Sequence, residues 1–431
     1  MVSTATDVKV KTTEGCSRKR VLLLAYACSP YRGSEAGVGW NRAIETAKYF
    51  DTWVIVKEGK NAPEINKWIA ENGEIRGLHF CYLPRTRFEV FLRRVFGLWY
   101  LTYHLWHRRA YRLAVKLHVK FQFHIVHQIT FCGFREPGYL WKLKVPFVWG
   151  PVAGTNNYPW PFLRSAGIRG ALIEGVRSVV NLLQFRFSSR VRKASKQAAV
   201  LLTVNSEGRD HFKMVHKINP ILELDVGSSA VLPRPLGNIR DRCHPLRILW
   251  SGALRHHKAL HLLILALSGL PPSLRYELRI LGEGPLKKRW NNLAIRTGVE
   301  ANCTWLGWLP HSEAMAQFQW ADVFVFTSLR DACGTVVMEA ISHGVPIICF
   351  DHQGVGDVIM KDCGIKIGLT GFDDAVRKLR AAIINIAQDR AKLSDLGKAA
   401  GDRARDYLWS VKGEKMAKIY TDILAGGRPS D

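Results

Sequence analysis

Between residues 321 and 357 the chain reads ADVFVFTSLRDACGTVVMEAISHGVPIICFDHQGVGD. An apolar strand runs into a glycine-bearing loop, a helix start, a second apolar strand and another glycine loop. Strands that are apolar throughout belong to parallel sheets covered on both faces, and parallel pairing needs a crossover, so this stretch demands a layered α/β fold. The alternation occurs twice. Residues 20–29 (RVLLLAYACS) predict a buried parallel strand ended by Pro30, then the loop YRGSEAGVGW, a helix to about Phe50 and a strand at 53–56. Further strands are expected near 79–83, 124–128, 146–149 and 200–204. After a Gly-, Ser-, Pro- and Arg-bearing linker at 225–245 the pattern restarts, with strands at 247–251, 279–281 and 304–307 and helices at 261–270 and 287–297. A last helix is expected at 410–424.

At 431 residues the chain exceeds one compact core. The expected division is a flexible tail (1–18, without a signal-peptide apolar region), a Rossmann-like first domain (19–240), a Rossmann-like second domain (241–409), and a closing helix and tail (410–431).

Asp331 and Glu339 bracket the first loop of the segment 321–357, with Gly334 inside it. Amides at a helix N-terminus after a glycine turn attract anions, and a carboxylate within the first turns can accept hydrogen bonds from sugar or ribose hydroxyls. Diphosphate plus polyol is the chemistry of a nucleotide-sugar. Carboxylates at this spacing also occur by chance on ordinary strand–loop–helix units, so the surrounding residues decide the matter. Asp331, Glu339, Ala340 and Gly344-Val345-Pro346 resemble the donor-site signature of retaining glycosyltransferases of family 4, which have the GT-B fold of two facing Rossmann-like domains. The resemblance covers residues 20–425 and is strongest over 247–360. It implies that the second domain holds the donor and that the last helix crosses back to the first.

The resemblance also implies roles residue by residue. Lys258, in Gly252-Ala253-Leu254-Arg255-His256-His257-Lys258, matches the lysine that neutralises the leaving diphosphate, where charge grows in the transition state. The family commonly has Arg where this chain has Ala253, so Arg255 is the expected substitute contact. Glu339 is expected on the donor ribose and Asp331, one methylene shorter than the family's Glu, on the sugar ring. Gly252 and Gly282, each following a strand of the donor domain, are also expected to bind the donor. Ala332, Cys333, Gly334 and Thr335 would offer backbone amides to the sugar and β-phosphate; no His/Asn set accompanies Cys333 as a nucleophile. In the first domain, Gly33, Ser34, Glu35, Gly37 and Gly39 occupy the place of the family's glycine loop near the reaction centre. Their spacing is not the G-x-G-x-x-G of a dinucleotide site. His127 matches the strand-end histidine beside the donor sugar, and a satisfied structural histidine is the alternative. Residues 150–154 (GPVAG) are expected to wall the cleft. No metal cluster appears, and no cofactor is expected: the nucleotide-sugar is a substrate.

Net charge is +26, with 37 Lys/Arg against 16 Asp/Glu in residues 1–240 and 25 against 20 thereafter. The basic excess therefore lies in the first half and points to a surface that docks on something anionic. Residues 85–120 hold nine Lys/Arg and a single acid, Glu89, interleaved with Phe88, Phe91, Phe96, Trp99, Tyr100, Tyr103, Trp106 and Tyr111. At 100° per residue Arg108, Arg109, Arg112, Lys116 and Lys120 share one arc, while Trp106, Ala110, Leu113, Leu117 and Phe121 share the next. The run 96–106 is too short to span a bilayer, and such a helix suits the headgroup plane of an anionic membrane. The other reading packs the aromatics inside and leaves a solvated basic face. Basic residues at 164–196 extend the same sign. No nucleic-acid motif is present. Nine scattered cysteines without a C-x-x-C pair fit reduced thiols.

The expectation is a cytoplasmic glycosyltransferase, peripheral on the inner face of the cytoplasmic membrane, with a saccharide or lipid-linked acceptor. The alternatives are a soluble enzyme with a small acceptor and a non-catalytic GT-B scaffold.

Overall fold

The computed structural model describes residues 18–95, 98–232 and 244–427. Most of the expected tail, the middle of the expected linker, Phe96, Cys16 and Cys243 lie outside the described residues.

The first domain begins with β1 (Arg20–Ala25), α1 (Ser34–Tyr49), β2 (Asp51–Lys57), α2 (Asn61–Asn72) and β3 (Leu78–Leu83). Helices α3 (Arg87–Arg94) and α4 (Trp99–Phe121) then lead to β4 (Ile125–Gln128) and β5 (Phe147–Val152). It closes with α5 (Gly167–Phe187), α6 (Ser189–Gln197), β6 (Ala198–Thr203), α7 (Ser206–His216) and β7 (Ile221–Leu222). The sheet order is β3-β2-β1-β4-β5-β6-β7, all parallel.

The second domain opens with β8 (Leu246–Ser251), α8 (Leu260–Leu267), β9 (Tyr276–Leu281), α9 (Lys287–Arg296) and β10 (Cys303–Gly307). It continues through α10 (His311–Trp320), β11 (Val323–Phe326), α11 (Thr335–Ser342), β12 (Ile347–Phe350), α12 (Gln353–Val358) and β13 (Gly364–Ile367). Helices α13 (Phe372–Gln388), α14 (Arg390–Arg405) and α15 (Trp409–Leu424) end the chain's described part. This parallel sheet runs β10-β9-β8-β11-β12-β13. Each sheet is sandwiched between two apolar clusters, one per face, which is why its strands read as unbroken apolar runs. In both domains the strand order reverses beside the first strand, and the carboxyl ends flanking that switch are where an open α/β sheet binds ligands.

Helix α15 belongs to the packing of the first domain. Its Met416, Ile419 and Tyr420 join the cluster of Val21, Leu23 and Val54, and its Lys412 reaches the buried Glu223 at 2.7 Å, beside Arg42 at 2.6 Å from the same carboxylate. Where the chain returns, Ser228 and Leu408 form a parallel bridge: the Ser228 amide donates to the Tyr407 carbonyl and the Trp409 amide to the Ser228 carbonyl, both at 2.9 Å.

Two expectations are corrected here. The segment read as a glycine loop is mostly helix: Gly33 caps α1, and Ser34, Glu35, Gly37 and Gly39 lie within it. Gly39 is required by packing, because a Cβ there would stand 2.1 Å from the Ala27 carbonyl oxygen. Of residues 150–154, the first three do not wall a cleft: Gly150 to Val152 complete β5 and are buried.

Candidate donor site at the interdomain cleft

The second sheet's strand ends converge on one place. Gly252 follows β8, Gly282 follows β9, and residues 327–334 follow β11. Gly282 has φ of +121° and a Cβ would meet the Gly252 carbonyl oxygen at 2.1 Å, so only glycine lets these two turns touch. Lys258 extends past Gly252 to form an ion pair with Asp331, its ammonium 5.4 Å from the Phe326 ring centre. Asp331 is held from both sides: its amide donates to Gln353 Oε1 at 2.7 Å, and its Oδ1 accepts from the Ala332 amide at 3.0 Å. Gly334, with φ of +89°, then starts α11 within reach of the Asp331 carboxylate.

Thr335 at the first position of α11 and Glu339 one turn further on face a cleft of ≈ 780 Å³ between the domains. Gly33, Ser34 and Gly37 of the first domain line the opposite wall, and His311 and Ser312 of α10 complete it. Burial pushes the Glu339 carboxyl up to about 7. A part-desolvated carboxylate with this cost of ionisation is poised to accept hydroxyl hydrogen bonds from a ligand.

Not every expected residue joins this site. His127 is fully buried, with Nδ1 2.5 Å from the Tyr420 hydroxyl and Nε2 2.7 Å from the Gly150 carbonyl oxygen. Burial drives its imidazole down to about 3. It is a satisfied structural histidine beneath α15, not a residue beside the sugar. Glu35 turns from the cleft to accept the Phe131 amide at 3.0 Å, and burial raises it to about 7. The Cys333 thiol is buried in the core cluster and pushed far up by burial, which leaves only its backbone for a ligand. Arg255 is exposed and makes no side-chain hydrogen bond among the described residues, so it is free to swing toward an anion.

The sequence did not reveal a latch around this loop. Glu174 of α5 is buried and accepts from Arg330 Nε and Nη2, each at 2.9 Å, and faces His256 Nε2 at 2.8 Å. Burial alone would raise this carboxyl, but His256 and Arg330 hold it down at about 2. The ligand atoms of Glu174, His256 and His257 lie within 4.8 Å of one another, yet both Glu174 oxygens are already taken, which makes the group an ion-paired brace. Asp357 adds a second link, accepting the Ser206 amide at 2.7 Å and hydroxyl at 2.6 Å. Arg330 stands immediately before Asp331, a sequence signal that could have marked it.

Residues 243–403 match the sequence profile of the family described as Glycosyl transferases group 1. The matched segment contains Lys258, Asp331 and Glu339, while the cleft's other wall comes from the domain before it. Sulfoquinovosyl transferase SQD2 of Arabidopsis thaliana is 31% identical over 176 residues, 39% of this chain and 32% of the relative. The chain spans half or less of the length of the curated relatives it matches. The two domains together superpose on sucrose-phosphate synthase from Thermosynechococcus elongatus with a TM-score of 0.63 at 14% identity, over 95% of this chain and 100% of that one. The lipopolysaccharide outer core galactosyltransferase WaaB gives 0.61 at 14% identity, over 93% and 99%. At that identity the likeness shows the fold, which is GT-B.

Proposed function

We propose that the protein is a retaining glycosyltransferase that moves a sugar from a nucleotide-sugar to a lipid-linked or surface-polysaccharide precursor, seated on the inner face of the cytoplasmic membrane. The observation that carries the reading is the Lys258–Asp331 pair set beside the start of α11, with Glu339 facing the interdomain cleft. In this reading the ammonium of Lys258 turns to the diphosphate and offsets the charge that grows as the bond to the sugar breaks. Asp331, released from the pair, accepts from sugar hydroxyls, and the amides opening α11 face the β-phosphate. Glu339 accepts from the ribose hydroxyls. Retention and the acceptor class are taken from the family resemblance. Among the described residues no helix is long and apolar enough to cross a membrane, so the membrane part of the reading requires a surface contact.

A screen of UDP-, GDP- and ADP-sugars for nucleotide release, with and without membrane extract, tests the activity. Lys258→Ala and Glu339→Ala are each expected to lower turnover about tenfold or more, on the order of 1–4 kcal/mol of transition-state stabilisation. Near-normal turnover in both variants would remove the donor-site assignment. Nucleoside diphosphate binding, followed by calorimetry, should strengthen as pH rises through about 7, where Glu339 ionises. Glu339→Gln should remove that component of the pH profile while leaving the phosphate's own titration.

A further inference from the structure

Helix α5 is built inside out. The residues it turns inward are Gly170, Glu174, Ser178, Asn181 and Phe185, four of them polar or without a side chain. The residues it turns to solvent include Ile168 at 92% exposure, Leu172 at 68%, Val176, Val179, Leu183 and Phe187. At 100° per residue the two sets fall on opposite sides of the helix, so the inversion is a property of the whole element and not of one frayed end. Scattered exposed apolar residues need no explanation, but a continuous stripe along 21 residues marks an interaction face.

The charge around this stripe says what covers it. From Pro137 to Ser206 the sequence contains one acid, Glu174, and it points inward into the Arg330–His256 brace. The same segment exposes Arg164, Arg169, Arg186, Arg192, Lys193 and Lys196 at the two ends of the stripe. A second copy of this chain would bring the same cations against them, which disfavours self-association. A cation-flanked apolar helix matches an anionic lipid surface, where the side chains enter the acyl boundary and the arginines meet headgroups. At the inward face of α5, Arg135 donates to Asn181 Oδ1 at 2.7 Å and lies 5.8 Å from the ring centre of Tyr100, which is exposed at the start of α4. Beyond Tyr100, Phe88 and Phe91 of α3 are exposed as well.

We infer that the outward face of α5 is the element that inserts into the headgroup region of an anionic bilayer, lying in the membrane plane. The inference rests on the membrane-surface reading above and assigns it to a specific helix, distinct from the basic face of α4.

Flotation of the full chain with phosphatidylglycerol-containing vesicles, against pure phosphatidylcholine vesicles, tests it. The triple variant Leu172→Gln, Val176→Gln, Leu183→Gln is expected to lower partitioning onto anionic vesicles by about tenfold or more, because the buried apolar area supplies much of interfacial binding. These side chains are already in solvent, so its circular dichroism and Tm should match wild type. Hydrogen exchange on the unmodified protein gives a second readout: peptides from α5 should gain protection with anionic vesicles while those from α13 should not. Unchanged partitioning of the triple variant, or no protection of α5, overturns the proposal. So does a wild-type dimer that the triple variant dissolves, which would mean that a second copy covers the stripe. Donor hydrolysis without acceptor is measured in parallel. A chain that floats through α5 yet releases nucleotide from no sugar donor would defeat the proposed function and leave this surface standing.

Discussion

Helices α4 and α5 are both long, both rich in arginine and both part of the first domain, yet they are wired in opposite senses. Helix α4 buries Tyr103, Trp106, Ala110 and Ala114 and exposes Arg108, Arg112, Lys116 and Lys120. Its Arg109 is not part of a free basic face: it pairs with Glu89 at 2.8 Å and donates to the Pro84 carbonyl at 2.7 Å. Helix α5 exposes its aliphatic residues and buries Glu174, Ser178 and Asn181 against protein partners. Composition alone does not separate the two. What separates them is which residues occupy each face, and the lesson is that a basic, aromatic helix such as α4 can be ordinary core packing while a blander aliphatic one carries the interface.

The largest effect that tests this contrast concerns burial. Trp106→Ala should cost about 3–5 kcal/mol in urea unfolding, since it empties a packed core site. Leu172→Ala on the outward face of α5 should stay within roughly 0.5 kcal/mol of wild type. Comparable losses from the two would erase the contrast.

A smaller effect concerns the inward polar face of α5. Glu174 is held down at about 2 from its ordinary 4.5, so its contribution is present above that ordinary value and is lost as pH falls from 4.5 toward 2. Glu174→Gln should therefore destabilise at neutral pH by roughly 1–3 kcal/mol, the range for a buried charge-assisted hydrogen bond. The variant and wild type should converge only as pH falls to about 2 and below. Glu223 is also depressed to about 2, so only the difference between the two proteins isolates Glu174. A difference that does not shrink in acid would deny Glu174 its ionised role in the brace.

The smallest effect belongs to the basic face of α4. Arg108→Gln, Arg112→Gln and Lys116→Gln should each weaken binding to anionic vesicles by about 1 kcal/mol or less at low salt. The loss should vanish when ionic strength shortens the Debye length to roughly 3 Å. A salt-resistant loss in these variants would restore α4 as the principal membrane element.

Much of the architecture was legible because two-sided burial writes itself as apolar runs. The strands at Arg20–Ala25, Leu246–Ser251 and Ile347–Phe350 could be read directly. The two-residue β7 offers no such run, and β13, GIKI, is short and only half buried. In the site, Gly252, Lys258, Asp331 and Gly334 were legible because a strand end, a glycine turn and a helix start leave a local pattern. His127 was not, because its partner Tyr420 lies 293 positions away on α15. The brace at Glu174 was hidden for the same reason, with Arg330 156 positions distant. Glu174 did stand out as the lone acid of its segment, and a helical-wheel reading of residues 167–187 would have placed it opposite the aliphatic stripe.

The chain passes between the domains twice, and the bridge of Ser228 with Leu408 lays the two passages side by side. A single covalent strand acts as a swivel, about which two bodies can turn in any direction. A pinned pair has width. Twisting the domains about each other shears the two hydrogen bonds of the bridge, whereas bending across it leaves them intact. A movement of the cleft that keeps both bonds is a folding motion, like a door on a strap hinge and unlike a ball in a socket. The links at Glu174–Arg330 and Ser206–Asp357 join the same two bodies, so they open and close as one set.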